Sequence, residues 1–182
     1  MTVKQPAIAS KGMVTSNHPL ASLAGTEILV RGGNAVDAAI ATMFALTVVE
    51  PMMVGVFGAG WMNLRLADGS SVIVDNYATA PLAATPDLFT PLSATWPDYM
   101  ETANRANKVG YLAAGTPGTL KAWVEAVEQW GRLDLETVMQ PAIRHASRGF
   151  RASQYLCDII TEAAADLARF PATARTFLPN GR

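Results

Sequence analysis

"GGNAVDAAIATMFALTVVEP", residues 32–51, is the stretch on which the fold turns. Gly32 and Gly33 can take the left-handed backbone that closes a preceding helix. Asn34 can cap a new helix, with Asp37 three residues on near its positive end. From Ala35 to Val49 apolar residues occupy nearly every side of that helix, so it is expected to be buried and central. The run is too short to span a bilayer.

Working outward toward the N-terminus, "GMVTS" at 12–16 reads as a short strand. Asn17-His18-Pro19 supplies a helix start, since proline is tolerated in a first turn. Leu20, Leu23, Ala24 and Ile28 follow at helical spacing up to the glycine pair.

On the other side of Pro51, Gly55, Gly58 and Gly60 form a tight loop. Their order, GxxGxG after a helix, excludes the GxGxxG dinucleotide fingerprint, which follows a strand. The plain reading is a turn; the functional alternative is a backbone N–H site for an anion. Met62, Leu64 and Leu66 alternate with Trp61, Asn63 and Arg65, which is strand periodicity. Asp68-Gly69 supplies a hairpin turn and Val72–Val74 the return strand. Helices packed on an antiparallel sheet make the class α+β.

Residues 81–110 are irregular, with Pro81, Pro86, Pro91 and Pro97, and longer than an ordinary connection. "GTPGTL" at 115–120 leads into a helix with Leu120, Trp123, Val124 and Val127 on one face, stopped by Gly131. "LDLETVMQPAIRHASRGF" at 133–150 reads as a helix interrupted at Pro141 and ended at Gly149. Ser153 starts another, with Leu156, Ile159, Ile160, Ala163 and Leu167 in register. "FLPNGR" at 177–182 reads as a loop, no natural end for a domain.

Half of the 182 residues are hydrophobic, 16% are charged, and the mean hydropathy is +0.19. That balance lies on the apolar side of soluble domains, so part of the surface is expected to be covered by something else. A net charge of −1 gives no reason to expect nucleic acid or an anionic membrane as partner. "MTVKQPAIASKGM" shows no apolar signal region, which points to the cytoplasm, or to the periplasm if a signal has been removed. Cys157 has no partner for an internal disulfide, and its apolar helical setting predicts a buried structural thiol. His18, near a helix start, and His145, inside a helix, read as structural; no metal site or cofactor is expected.

The candidate site lies in "SSVIVDNYATAP", residues 70–81. A strand there delivers a polar tip, Asp75-Asn76-Tyr77, into a loop, a common way to mount a site on a rigid element. No cation lies within the stretch.

Taken together, "GMVTSNHPLASLAGTEILVRGGNAVDAAIATMFALTVVEP" resembles the opening of the γ-glutamyltranspeptidase family, "GGNAVDAA" followed by "VVEP" being highly specific. "TAPLAATPDLF" at 79–89, "GTPGTLKAW" at 115–123, "WGRL" at 130–133, "PAIRHASRGF" at 141–150 and "FLPNGR" fall in the family's order. The resemblance runs from about Ile8 to the last residue and is weakest at 90–110.

It implies the N-terminal nucleophile (Ntn) hydrolase fold, an αββα sandwich of which this chain supplies only part. It further implies an inactive precursor that cuts itself into a large and a small subunit. The new N-terminal threonine would attack an amide carbonyl and form an acyl-enzyme, with backbone N–H groups holding the oxyanion. No Thr-Thr-His run occurs in these residues, so 1–182 match the N-terminal segment of the large subunit and carry no catalytic nucleophile. The implied partners are the rest of the large subunit, the small subunit and a small-molecule amide, with dimers of processed heterodimers a further expectation.

In γ-glutamyl-specific members the strand after the hairpin ends in a pattern like Asp-Gly-Arg-Glu-Thr-Ala-Pro, whose arginine grips the α-carboxylate of the glutamyl group. Here the aligned run is Asp75-Asn76-Tyr77-Ala78-Thr79-Ala80-Pro81, so Asp75, Asn76 and Tyr77 are the expected substrate-binding residues and the arginine is missing. Losing a bidentate charge-assisted contact costs about 1.5–3 kcal/mol, so the preference for γ-glutamyl groups is expected to weaken. Two alternatives stay open: Tyr77 merely fills space at a strand end, or Arg65 or Arg105 compensates. The resemblance points to an amide hydrolase or acyltransferase acting on an acylase-type amide or a small oxo-acid amide such as oxamate. A true γ-glutamyltranspeptidase or glutathione hydrolase, and a catalytically inactive scaffold, are the alternatives. Phe57, Ala59 and Trp61 make the glycine loop bulkier than in relatives, either narrowing a pocket or pointing into the core.

Overall fold

Two helices in close apposition organise the chain. In the computed structural model, which describes residues 6–96 and 100–181, α1 spans Pro19–Val30 and α2 spans Ala35–Val49. Pro97 and Arg182, both named above, lie outside the described residues. Pro19 opens α1, and the cap is His18, whose Nδ1 accepts the Leu20 N–H at 3.2 Å. Gly32, at φ +95°, takes the left-handed turn that ends the helix. Asn34 then caps α2 as expected: its side chain accepts from Val36 and Asp37 N–H groups while Asp37 accepts the Asn34 N–H, a reciprocal capping box.

The helices touch at Gly25, where a Cβ would sit 2.2 Å from Thr42 Oγ1 and 2.8 Å from the Ala38 carbonyl. Ala21, Ala24, Gly25 and Ile28 form the buried stripe of α1. Leu23 is exposed, contrary to the spacing argument, because α1 approaches α2 through its small residues and turns Leu23 outward.

Strands β1 (Trp61–Arg65) and β2 (Ser71–Asp75) pair antiparallel, with Trp61 opposite Asp75 and Arg65 opposite Ser71. Met62, Leu64, Val72 and Val74 face inward and the alternate residues outward. The turn is as expected: Gly69, at φ +89°, donates to the Leu66 carbonyl, and Asp68 accepts from the Ser70 N–H and hydroxyl. Residues 12–16 form no strand among the described residues. An extended run becomes a strand only when a neighbour supplies ladder hydrogen bonds, and none of the described residues does so.

The C-terminal half is helical: α3 (Thr119–Trp130), α4 (Leu135–Arg148), α5 (Gln154–Ala168) and α6 (Pro171–Phe177). Helix α4 runs unbroken through Pro141, against the expected interruption. The ring is fully buried, and neighbouring Val138 and Ala142 lock into the core, so packing overrides the lost backbone bond. The core gathers Ile28, Ile40, Phe44, Trp123, Val127 and Val138, with Phe44 and Trp123 edge to face at 5.0 Å. Helix α5 buries only Leu156; Ile159, Ile160, Ala163 and Leu167 line an open groove with Met52 and Phe177. Cys157 is exposed rather than buried, because α5 turns that side away from the body.

Candidate functional site

Because side chains alternate along a strand, the end of β2 splits the three expected site residues between two faces. Asp75 and Tyr77 point outward. Asn76 points inward and is 5% exposed. Its backbone N–H donates to the Gly60 carbonyl at 3.1 Å, and its side-chain amide donates to Thr119 Oγ1 at 3.0 Å. Asn76 Oδ1 is buried without a hydrogen-bond partner in the chain. The approach to α3 requires glycine at 118, where a Cβ would lie 2.8 Å from the Asn76 carbonyl oxygen. Asn76 therefore ties the strand end to the start of α3, a link across 43 residues that no local pattern announces.

On the outer face, the Asp75 carboxylate accepts the Tyr77 N–H at 3.0 Å, which turns the chain out of the strand. The Tyr77 ring lies on the Trp61 indole, centroids 4.7 Å apart and planes inclined by 24°. Trp61 is opposite Asp75, so Tyr77 is its diagonal neighbour on the same face, within reach of an aromatic pair. Both rings are left open, Trp61 at 65% and Tyr77 at 54% exposure. Past the stack, Thr79 and Thr116 exchange backbone hydrogen bonds at 3.2 and 2.8 Å, fastening the following loop to the approach of α3.

Both arginines considered as a substitute clamp have side-chain partners of their own. Arg65 is at the other end of β1, about 13 Å along the strand, and donates to Ser71 Oγ. Arg105 makes a two-pronged pair with Asp166, at 3.0 and 2.9 Å.

The glycine loop behaves as a turn at its tip, where Gly58 N–H donates to the Gly55 carbonyl at 2.9 Å. Phe57, Ala59 and Trp61 point outward rather than into the core. Between this loop, α2 and the start of β1 lies a cavity of about 420 Å³. Its walls are mainly apolar, including Ile40, Met43, Met53, Trp61 and Trp123, with Asn76 and Thr119 among the polar members.

Both histidines lie away from this strand end. His18 Nδ1 is occupied as a helix cap. His145 in α4 titrates below the ordinary imidazole value, chiefly through burial, then through the positive Arg144 and neighbouring His18; Glu27 opposes the shift. Among the described residues no three His, Cys, Asp or Glu side chains are grouped to hold a metal ion. Trp61 and Thr119 were not picked out as site residues from the sequence. The strand alternation could have paired Trp61 with the tip of β2; nothing local could have found Thr119.

The Gamma-glutamyltranspeptidase family model matches residues 21–182. The chain belongs to the γ-glutamyltranspeptidase family. It is 52% identical over 179 residues to the Acylase ACY 1 proenzyme of Pseudomonas sp. (strain V22), covering 98% of this chain and 32% of that protein. Against the Glutathione hydrolase proenzyme of Bacillus subtilis (strain 168) the identity is 39% over 181 residues, with 98% and 30% covered. The crystal structure of the Helicobacter pylori γ-glutamyltranspeptidase superposes with a TM-score of 0.85 at 34% identity, covering 93% of this chain and 47% of that one. The chain thus spans about a third of the length of the curated relatives it matches. Its helices and hairpin are part of the α+β Ntn-hydrolase fold of that family.

Proposed function

We propose that this chain is the N-terminal segment of the large subunit of an autoprocessing amide hydrolase or acyltransferase. In this reading the remainder of the polypeptide supplies an N-terminal threonine that attacks the amide and forms an acyl-enzyme. The end of β2 borders the acyl pocket, and the acyl group is one without the α-amino acid head of a γ-glutamyl compound. An acylase-type amide or a small oxo-acid amide such as oxamate fits that description. The supporting observation is the stack of Tyr77 on Trp61 at 4.7 Å, in a run where the family resemblance aligns Tyr77 with the clamp arginine, a phenol in place of a guanidinium. A phenol donates one hydrogen bond and carries no charge, so it cannot replace a bidentate grip on a carboxylate.

Membership in a family of acylase and glutathione hydrolase proenzymes supports the amide chemistry. The greater identity to the Pseudomonas acylase, 52% against 39%, favours the acylase side. A second reading, γ-glutamyl transfer, draws on the glutathione hydrolase similarity and lacks a clamp at position 77. The test is Tyr77→Arg in the full-length processed protein, assayed on a γ-glutamyl anilide and on simple acyl anilides. A carboxylate clamp restored at about 1.5–3 kcal/mol raises kcat/KM for the γ-glutamyl amide about tenfold to a hundredfold. A wild-type protein that already prefers the γ-glutamyl amide, or a variant with no gain, would overturn the reading.

A further inference from the structure

We infer that Trp61 is a specificity-determining residue whose indole forms the apolar floor for the acyl group. This rests on the reading that the end of β2 borders the acyl pocket. Two observations carry it. First, Trp61 and Tyr77 form an ordered stack that is nevertheless more than half exposed on both rings, 65% and 54%. A stacked indole and phenol at the expected substrate-binding tip present a flat face of the kind that takes an apolar or aromatic group. Second, the same Trp61 is part of the wall of the 420 Å³ cavity, alongside Met43 and Met53. Trp61 thus stands where the outer-face platform meets the wall of a mainly apolar recess of the size that small-molecule sites use.

The backbone makes the arrangement rigid. Trp61 begins β1, directly after Gly60, whose carbonyl accepts the Asn76 N–H at 3.1 Å. The Asp75 carboxylate accepts the Tyr77 N–H at 3.0 Å, which holds Tyr77 back over the indole. An apolar chain or an aromatic ring of the acyl group contacts the indole, while the Tyr77 hydroxyl offers one hydrogen bond at the rim. Selectivity by this surface follows from size and apolarity and grows with acyl length.

The experiment uses full-length protein carrying Trp61→Ala or Trp61→Phe, with subunit cleavage checked by intact mass. Each is assayed for kcat/KM on acetyl, butyryl, phenylacetyl and γ-glutamyl anilides. The expected result is a loss of about tenfold or more on phenylacetyl for Trp61→Ala and about twofold or less on acetyl. Trp61→Phe keeps most of the phenylacetyl activity because it restores the stack. Equal losses across the series, or none, would overturn the inference and leave Trp61 as a packing residue for the rest of the polypeptide. If Trp61→Ala fails to mature, Trp61→Leu makes the same comparison, and its failure to separate phenylacetyl from acetyl is equally decisive. A wild-type protein that prefers the γ-glutamyl anilide refutes the acyl-pocket reading itself. Wild-type preference for the apolar series with uniform losses in the variants refutes only the role of Trp61.

Discussion

Asp37 is a fully buried carboxylate that holds two parts of the chain 95 residues apart, and removing it should loosen both. Its Oδ2 accepts the Asn34 N–H at 2.8 Å, and both oxygens share the Arg132 N–H at 3.2 and 3.0 Å. Asp37→Ala leaves two backbone donors without an acceptor, each costing about 1–3 kcal/mol when buried. Water can reach part of the α3–α4 turn, so a total of about 3 kcal/mol is expected. Gly131 belongs to the same device. Its φ is −75°, so glycine is not there for the turn; a Cβ would lie 2.4 Å from Asp37 Oδ1 and 2.5 Å from the Val127 carbonyl. Gly131→Ala should therefore displace the carboxylate and lose much of the same contact. The double variant should fall short of the summed losses by about 1 kcal/mol, the mark of a shared interaction. The assay is hydrogen exchange by mass spectrometry on the full-length protein, which reads local opening even where global unfolding is not two-state. Faster exchange at Asn34 and Arg132 by about two decades in Asp37→Ala is expected, matching 3 kcal/mol. Unchanged protection at both amides, or strict additivity of the two substitutions, would refute the argument.

Two further outcomes follow from packing and from charge. Gly25→Ala should destabilise by about 1–3 kcal/mol through overpacking against Thr42 and the Ala38 carbonyl, with Thr42→Ala restoring only part; thermal unfolding of the single and double variants checks this. His145 is harder to protonate folded than unfolded, mainly through burial. The unfolded state therefore binds more protons, and stability falls as the pH drops through about 6.5 and levels off below the folded value. His145→Gln should flatten that slope while leaving stability near pH 8 unchanged, and urea midpoints across pH 5–8 decide it.

Much of the fold was legible in the residues because the signals are local. Asn34 and Asp37 sit three apart, so one turn of backbone brings them together whatever the rest of the chain does. Gly32 and Gly69 mark turns that need a positive φ, as found. The alternation from Trp61 to Val74 set both strands and their inward faces. At the candidate site the tip 75–77 was legible as a tip, but its division into an outward pair and an inward Asn76 needed the docking of β2 against α3.

Composition and periodicity determined that α2 is the apolar centre and that a hairpin follows the glycine loop. Packing alone decided that α4 runs straight through Pro141 and that Cys157 faces outward. It also decided that Trp61 covers Tyr77 and that Asp37 reaches the Arg132 amide. Hydrogen bonds within a turn are set by the order of neighbouring residues. Contacts across 40 or 95 residues exist only once the helices and hairpin have settled against one another, and there the choice lies with shape and burial.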